Sequence, residues 1–403
     1  MASIRKRGET YQIRVSAGYD ISGRQITKTM TWKPTEKMTE KQIEKELNRQ
    51  ATLFEEKVTN GIAGDSRQTF AEYSRYVIDL KERTGLKLST IERYQSFTEY
   101  TDKAIGHLKL ADIRPKHLND FYRQLSADGM NKKTGGKLSN KTIVEYHRFI
   151  SSVLSEAEKE MLILYNPAHK ATPPKPEKKE ANYFQTEDVQ NIIQALSTVA
   201  LKYRLITMLL ITTGCRRGEI LGLKWANVDT VNKVIEIKNN LLYSSQKGLY
   251  LTSPKTGKQR KVRFPAELIP LIEEYRREYT ELKYNHGDRW QGSNRLGIIG
   301  SAEWLADDFM FVQTDGKPMH PDTITSWLNK FSQENNLPHI NPHAFRHTVA
   351  SILISQGIDI VTVSKQLGHD KVSTTTDIYS HIINKASEQA ADTIASVIFQ
   401  KKA

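Results

Sequence analysis

The sequence predicts a multidomain, mainly α protein with small β elements (α+β), on three observations. Apolar side chains recur at helical spacing over most of the chain, strict alternation is confined to a few short runs, and 403 residues exceed what one hydrophobic core usually serves. Residues 1–64 read as a small antiparallel, three-stranded sheet plus a helix. Tyr11, Ile13 and Val15 alternate with polar residues, and the run 24–32 follows a turn through Asp20 and Gly23. Thr39 and Gln42 have capping-box spacing ahead of Ile43, Leu47, Ala51, Phe54 and Val58, an apolar helix face able to cover the sheet. The stretch 60–65, with Gly61 and Gly64, interrupts that period and sets the first boundary.

Residues 65–170 read as a helical domain. Phe70, Tyr73, Val77 and Leu80 mark one face, Ser89 with Glu92 has the spacing of a cap for a second helix, and Pro115 suits the first turn of a third carrying Leu118, Tyr122 and Leu125. Ile143, Tyr146, Ile150, Val153, Leu154 and Ala157 line a longer helix that Asn166-Pro167 stops. Residues 171–182 combine prolines with charge and lack an apolar period, as an extended linker does. The remainder, 183–403, is dominated by helical patterns at 201–213, 268–279, 322–331 and 343–356. Its strands are 234–237 and the pair 249–252 and 261–264, expected to form a hairpin. They are too few for a doubly wound sheet, and no fixed-period repeat points to a solenoid.

A formal charge of +13 favours a polyanionic partner, because each Lys or Arg that neutralises a phosphate releases a condensed counterion. Nucleic acid comes first. A membrane span would need roughly 20 consecutive apolar residues, and the chain has no such run. The basic start, Met1 to Arg7, lacks the apolar stretch of a secretory signal, and the single Cys215 cannot form an internal disulfide, so a soluble cytoplasmic protein is expected.

Four stretches between residues 183 and 403 concentrate polar groups. Thr213-Gly214-Cys215-Arg216-Arg217-Gly218-Glu219 ends one apolar helix and opens another, where a guanidinium can be held half-buried. Pro254-Lys255-Thr256-Gly257-Lys258 has the composition of a turn presenting a lysine. Pro342-His343-Ala344-Phe345-Arg346-His347-Thr348 starts a helix and puts His343 and Arg346 on one face. His343 and His347 also stand four apart, as zinc ligands do. However, no Glu follows His343, Arg346 would set a cation beside the metal, and no third ligand suggests itself, so neither a metal nor another cofactor is expected. Leu367-Gly368-His369-Asp370 precedes Thr374-Thr375-Thr376-Asp377-Ile378-Tyr379, with Gly368 suited to a helix end and Ser373 or Thr374 to the next N-cap. Taken singly, the arginines also read as solvated or Glu-paired cations, the lysines as a solvated turn, and Tyr379 as one more half-buried tyrosine.

Their order along the chain is what distinguishes them. Arg, Lys, His-x-x-Arg, His and Tyr in this succession resemble the tyrosine recombinase (integrase) family, in detail from about Tyr183 to the end. The two preceding domains match in size, order and helix-or-strand character. The resemblance implies a DNA strand transferase of the kind carried by conjugative transposons and temperate phages, acting without metal or ATP. In it Arg216 and Arg346 clamp the scissile phosphate and His369 adds a hydrogen bond. Tyr379 attacks, His343 accepts its proton, and Lys255 protonates the departing 5′ oxygen. Lys258 is the alternative hairpin lysine, Cys215 occupies a slot often aliphatic, and Arg217 adds a second guanidinium. The absence of a P-loop motif agrees with rejoining through a 3′-phosphotyrosine that conserves the bond energy.

By the same resemblance, residues 1–64 form an arm-type DNA-binding domain, 65–170 a core-binding domain and 183–403 the catalytic domain. A homotetramer on paired duplexes is implied, with the apolar stripe of Ala390, Ile394, Val397 and Ile398 docking on a neighbouring subunit. The partners implied are double-stranded DNA at core and arm sites, an excisionase and a host DNA-bending protein. Two rivals stand beside this reading. A nuclease or type IB topoisomerase shares the Arg, His and Tyr chemistry, and a noncatalytic DNA-binding regulator accounts for the charge but leaves the ordered set unexplained.

Overall fold

Alternation at Tyr11, Ile13 and Val15 builds the first sheet. Strands β1 (Ser3–Arg7), β2 (Thr10–Tyr19) and β3 (Gln25–Trp32) pair antiparallel in that order, with Ile13 opposite both Ile4 and Met30. One face of β2 is covered by α1 (Glu40–Thr59), whose Leu47 and Ala51 pack with Ile13. The Gln42 side chain accepts from Thr39 N–H at 2.9 Å, as the capping spacing predicts. The computed structural model describes residues 2–19, 22–35, 38–59, 68–177, 183–253, 259–291, 309–368, 371–373, 375, 376 and 379. Backbone contacts divide the chain into two units, Met1–Lys178 and Lys179–Ala403.

The helical part of the first unit contains α2 (Phe70–Arg83), α3 (Leu88–Thr101), α4 (Pro115–Leu125) and α5 (Asn140–Lys159). They share a core of Phe70, Tyr73, Leu118, Phe121, Phe149 and Ile150, separate from the core under the sheet. A reciprocal capping box joins Thr69 and Glu72 at the start of α2, a feature the sequence reading passed over. The cap expected at Ser89 does not form, because α3 already begins at Leu88, with Lys87 at its N-cap and no side-chain cap bond. Asn166 fastens the end of this domain by donating to Ser151 O at 2.9 Å and Ser155 Oγ at 2.8 Å.

The second unit is built around α7 (Leu201–Thr213), whose Leu205, Ile206, Leu209 and Leu210 are all buried. A helix apolar on most sides belongs at a centre, and α6 (Thr186–Ala195), α9 (Ile269–His286), α10 (Pro321–Glu334) and α11 (Pro342–Ser355) contribute to the same core. Shorter helices α8 (Arg217–Leu221) and α12 (Ile360–Leu367) carry the polar turns.

Among the described residues of this unit are five short strands: β4 (Val228–Asp229), β5 (Val234–Ile237), β6 (Asn240–Ser244), β7 (Gly248–Thr252) and β8 (Arg260–Arg263). Here the pairing differs from expectation. Strands 249–252 and 261–264 do not form a hairpin with each other: β7 pairs with β6, and β8 pairs with β5 in the order β4-β5-β8. The tight turn at Ser244–Gly248, with Gly248 at φ +70°, closes β6 on β7. Ile235 and Val262 then face the core opposite one another across β5 and β8. Strands β7 and β8 therefore belong to two sheets rather than to one ribbon. No helix among the described residues is long and apolar enough to cross a membrane.

Candidate active site

Polar groups gather where α7 ends and α8 begins. Gly214 caps α7 in the left-handed region at φ +64°, Cys215 is buried after it, and Arg216 stands at the N-cap of α8. Three residues on, Glu219 is 1% exposed and accepts from Arg216 twice, from the backbone N–H at 2.8 Å and from Nη1 at 2.8 Å. Arg216 Nη2 donates to Gly368 O at 3.2 Å, tying the turn to the end of α12. Gly368 is left-handed at φ +68°, and a Cβ there would meet the Arg260 guanidinium at 3.0 Å, so this helix end needs glycine on two counts.

Arg260, at the start of β8, holds both carboxylate oxygens of Glu219, Oε1 at 3.0 Å and Oε2 at 2.7 Å, and its Nε donates to Gln366 O at 3.1 Å. Neither Arg260 nor this role of Glu219 was among the expectations drawn from the sequence. Signals for both existed: Arg260 shares the inward parity of Val262 on β8, an unusual place for a cation, and Glu219 sits at N3 relative to Arg216, where a capping carboxylate belongs. Burial alone would raise the Glu219 pKa, but the Arg260 bond and charge, with Arg216, bring it to about 2.

Arg346 lies on α11, 2% exposed. Its Nη1 donates to Gly214 O at 3.0 Å, while Nη2 is buried without a hydrogen-bond partner among the described residues. Burial first, then the positive charge of Arg216, lower its pKa to about 10, so it stays protonated at neutral pH. A buried guanidinium with an unused donor has capacity for one more hydrogen-bond acceptor.

Tyr379 is 1% exposed among Val349, Ala350, Ile354, Val363 and Leu367. Its hydroxyl meets Nδ1 of His347 at 2.6 Å. Burial pushes the tyrosine pKa up to about 12, against a smaller opposite effect of Arg346. Burial, then Arg346, lower the pKa of His347. His343, one turn earlier on α11, has its ring 4.8 Å from that of His347 and lines a cavity of about 200 Å³ with Arg217, Thr325, Asn341 and Pro342. The histidine on the tyrosine hydroxyl is thus His347, whereas the sequence had pointed to His343. Arg217 turns away from its neighbour to Asp322 at 2.9 Å and Thr325 Oγ1 at 2.5 Å.

The structure therefore brings Arg216, Arg346, His343 and Tyr379 into one unit around the same helices. Lys255, Lys258, His369 and the stripe of Ala390, Ile394, Val397 and Ile398 lie outside the described residues. Val372 and Ser373 are already helical, so the turn ahead of Tyr379 begins before the N-cap expected at Ser373 or Thr374.

The Phage integrase family model matches residues 182–385, and the phage integrase SAM-like domain model matches residues 69–172. The chain belongs to the phage integrase family. This integrase is 26% identical to a XerC-like tyrosine recombinase of Caldanaerobacter subterraneus subsp. tengcongensis, over 97% of each chain. It is 25% identical to the ICEBs1 integrase of Bacillus subtilis, over 83% of this chain and 79% of that one. Among solved structures, the Tn1549 transposon integrase in complex with transposon right end DNA shares the fold, with a TM-score of 0.65 at 20% identity, covering 81% of this chain and 99% of that one. A lambda integrase dimer bound to a core site matches with a TM-score of 0.56 at 14% identity, over 93% of each chain. The integrase is a site-specific DNA recombinase of mobile elements, an enzyme that breaks and rejoins DNA.

Proposed function

We propose that the integrase cuts DNA through a covalent bond between Tyr379 and a backbone phosphate, with neither divalent metal nor ATP. The observation that carries this reading is the unused buried donor of Arg346 next to an Arg216 propped by Glu219. At the pentacoordinate transition state more negative charge falls on the nonbridging oxygens, and two guanidinium groups, Arg346 buried and Arg216 partly buried, would supply donors to it. In this reading His369 adds a hydrogen bond to the phosphate, Lys255 rather than Lys258 protonates the departing 5′ oxygen, and His343 accepts the tyrosine proton. The 3′-phosphotyrosine keeps the bond energy, so a 5′ hydroxyl from another duplex rejoins the strand.

Two strand exchanges need four active sites, and we assign the integrase a tetramer on DNA, held by the stripe of Ala390, Ile394, Val397 and Ile398. Residues 1–64 are assigned to arm sites and 65–170 to core sites of double-stranded DNA. An excisionase and a host DNA-bending protein set direction, and the protein works on the nucleoid in the cytoplasm. The test is incubation of purified protein, in EDTA, with nicked duplexes carrying candidate element ends. A protease-sensitive shifted band that vanishes in Tyr379→Phe, with DNA binding retained, is the expected outcome. Unchanged cleavage by Tyr379→Phe, or no adduct on a verified site, overturns the reading.

A further inference from the structure

We infer that Arg260 is a positioning residue for cleavage. By holding the Glu219 carboxylate from β8, it aims the Arg216 guanidinium and leaves it the positive charge to meet a phosphate. This rests on the reading of Arg216 as part of the phosphate clamp. Arg260 and Arg216 divide the two oxygens of one buried carboxylate between them. Oε1 accepts from Nη1 of Arg216 at 2.8 Å and from Nη1 of Arg260 at 3.0 Å. Oε2 accepts from the Arg216 backbone N–H at 2.8 Å and from Nη2 of Arg260 at 2.7 Å. Both terminal nitrogens of Arg260 thus reach the same carboxylate, a bidentate pairing that fixes its plane as a lysine ammonium could not. The fork is itself held. Its Nε donates to Gln366 O at 3.1 Å near the end of α12, and its backbone pairs with Ile237 of β5. Arg216 meets the same helix end at Gly368 O, 3.2 Å away, so both arginines join the turn of α8 to the end of α12.

Charge supplies the other half of the argument. A Glu219 paired with Arg216 alone would cancel most of that cation's charge at this range, and a neutralised pair attracts a phosphate weakly. Arg260 takes a share of the carboxylate, so the two guanidinium groups and one carboxylate keep one net positive charge, to which Arg346 adds another. An attacked phosphodiester passes from one negative charge to two, and a site of that charge favours the transition state over the ground state. Arg260 does not itself face the substrate. Its side chain is 12% exposed, and Nε, Nη1 and Nη2 all donate within the protein, unlike the buried Nη2 of Arg346. Its effect on the reaction therefore passes through Arg216.

The measurement is single-turnover cleavage of a nicked suicide duplex by the full-length protein, followed against protein concentration on two substrates. One is the ordinary duplex. In the other the scissile phosphate is a methylphosphonate, with a methyl group replacing one nonbridging oxygen and its charge. On the ordinary duplex Arg260→Gln should keep the half-saturating concentration and lower the rate at saturation about 10²-fold. On the methylphosphonate, and in an Arg216→Ala background, that penalty should shrink at least about tenfold, because the group it acts through matters less or is gone. Arg260→Lys keeps the cation without the fork and should fall between wild type and Arg260→Gln. It carries the same comparisons if Arg260→Gln fails to fold. An equal slowing on both duplexes, or in both backgrounds, marks a merely structural arginine and overturns the inference, as does a loss confined to the half-saturating concentration. Absence of any wild-type adduct overturns the Tyr379 reading and this inference with it. Wild-type cleavage by Arg216→Ala removes the clamp and Arg260 together, whereas a slow Arg216→Ala to which Arg260→Gln adds its full penalty removes only Arg260.

Discussion

Glu219 is the side chain on which both Arg216 and Arg260 depend. It is buried, and it answers Arg216 and Arg260 with all its oxygen valence, so removing its charge strands two cations in a dry place. Glu219→Gln should cost about 3–5 kcal/mol at neutral pH, read as a fall in melting temperature of order 10 °C for a unit of this size. The pH dependence has a definite sign. A carboxylate whose folded pKa is depressed to about 2 stabilises the fold fully above its unfolded value and loses that contribution as pH falls through the folded one. The gap between wild type and Glu219→Gln should therefore be widest near neutrality and close as pH approaches 2. Melting curves of both proteins from neutral to acid pH check this, and a gap that widened in acid would contradict the ion-pair account. Cleavage should fall as well, because Arg216 loses the strut that aims it.

At the scale of elements, the short helix α8 is held against β6 with almost no clearance. A Cβ on Gly218 would lie 2.6 Å from Leu241 O and 2.4 Å from Asn240 Oδ1, and the former is backbone that cannot swing away. Gly218→Ala should push α8 off β6, shifting Arg216 and Glu219 together, with a loss of roughly 1–3 kcal/mol and cleavage reduced by more than the stability loss accounts for. Chemical denaturation alongside adduct formation separates the two, and a variant as stable and as active as wild type would show that the contact yields. The same scale explains the strand pairing. Leu249 to Thr252 and the stretch after Arg260 both have strand composition, but a tight glycine turn gives β7 a nearer partner in β6, and β8 is drawn to β5 by the apolar pair Ile235 and Val262. Through that pairing Arg260 reaches Glu219.

Across the whole molecule, the small N-terminal sheet keeps its own core of Ile13, Leu47 and Ala51, apart from the helical core of α2 to α5. The described active-site groups all belong to the second unit. Deleting residues 1–64 should therefore leave core-site cleavage intact while impairing organised recombination, since two tethered DNA contacts no longer act at high effective concentration. Adduct formation on core-site duplexes and recombination between paired sites measure these separately. Loss of cleavage by a folded truncation would move the N-terminal domain into the chemistry.

What the sequence by itself determined were the features set by local periodicity and by order. These were the sheet-plus-helix start, the bounds of α7 and β5, the proline-led α4, and the ordered succession of Arg216, His343, Arg346 and Tyr379 that carried the resemblance to the recombinase family. Apolar spacing and capping chemistry act over a few residues, so they can be read along the chain. Tertiary structure alone decided who meets whom: β8 with β5, Arg260 with Glu219 across 41 positions, and His347 with Tyr379 across 32. Such pairings depend on which face each element turns to the core. Two histidines one helical turn apart look alike in sequence, and only packing of α11 against the Tyr379 cluster determines which of them lies on the hydroxyl.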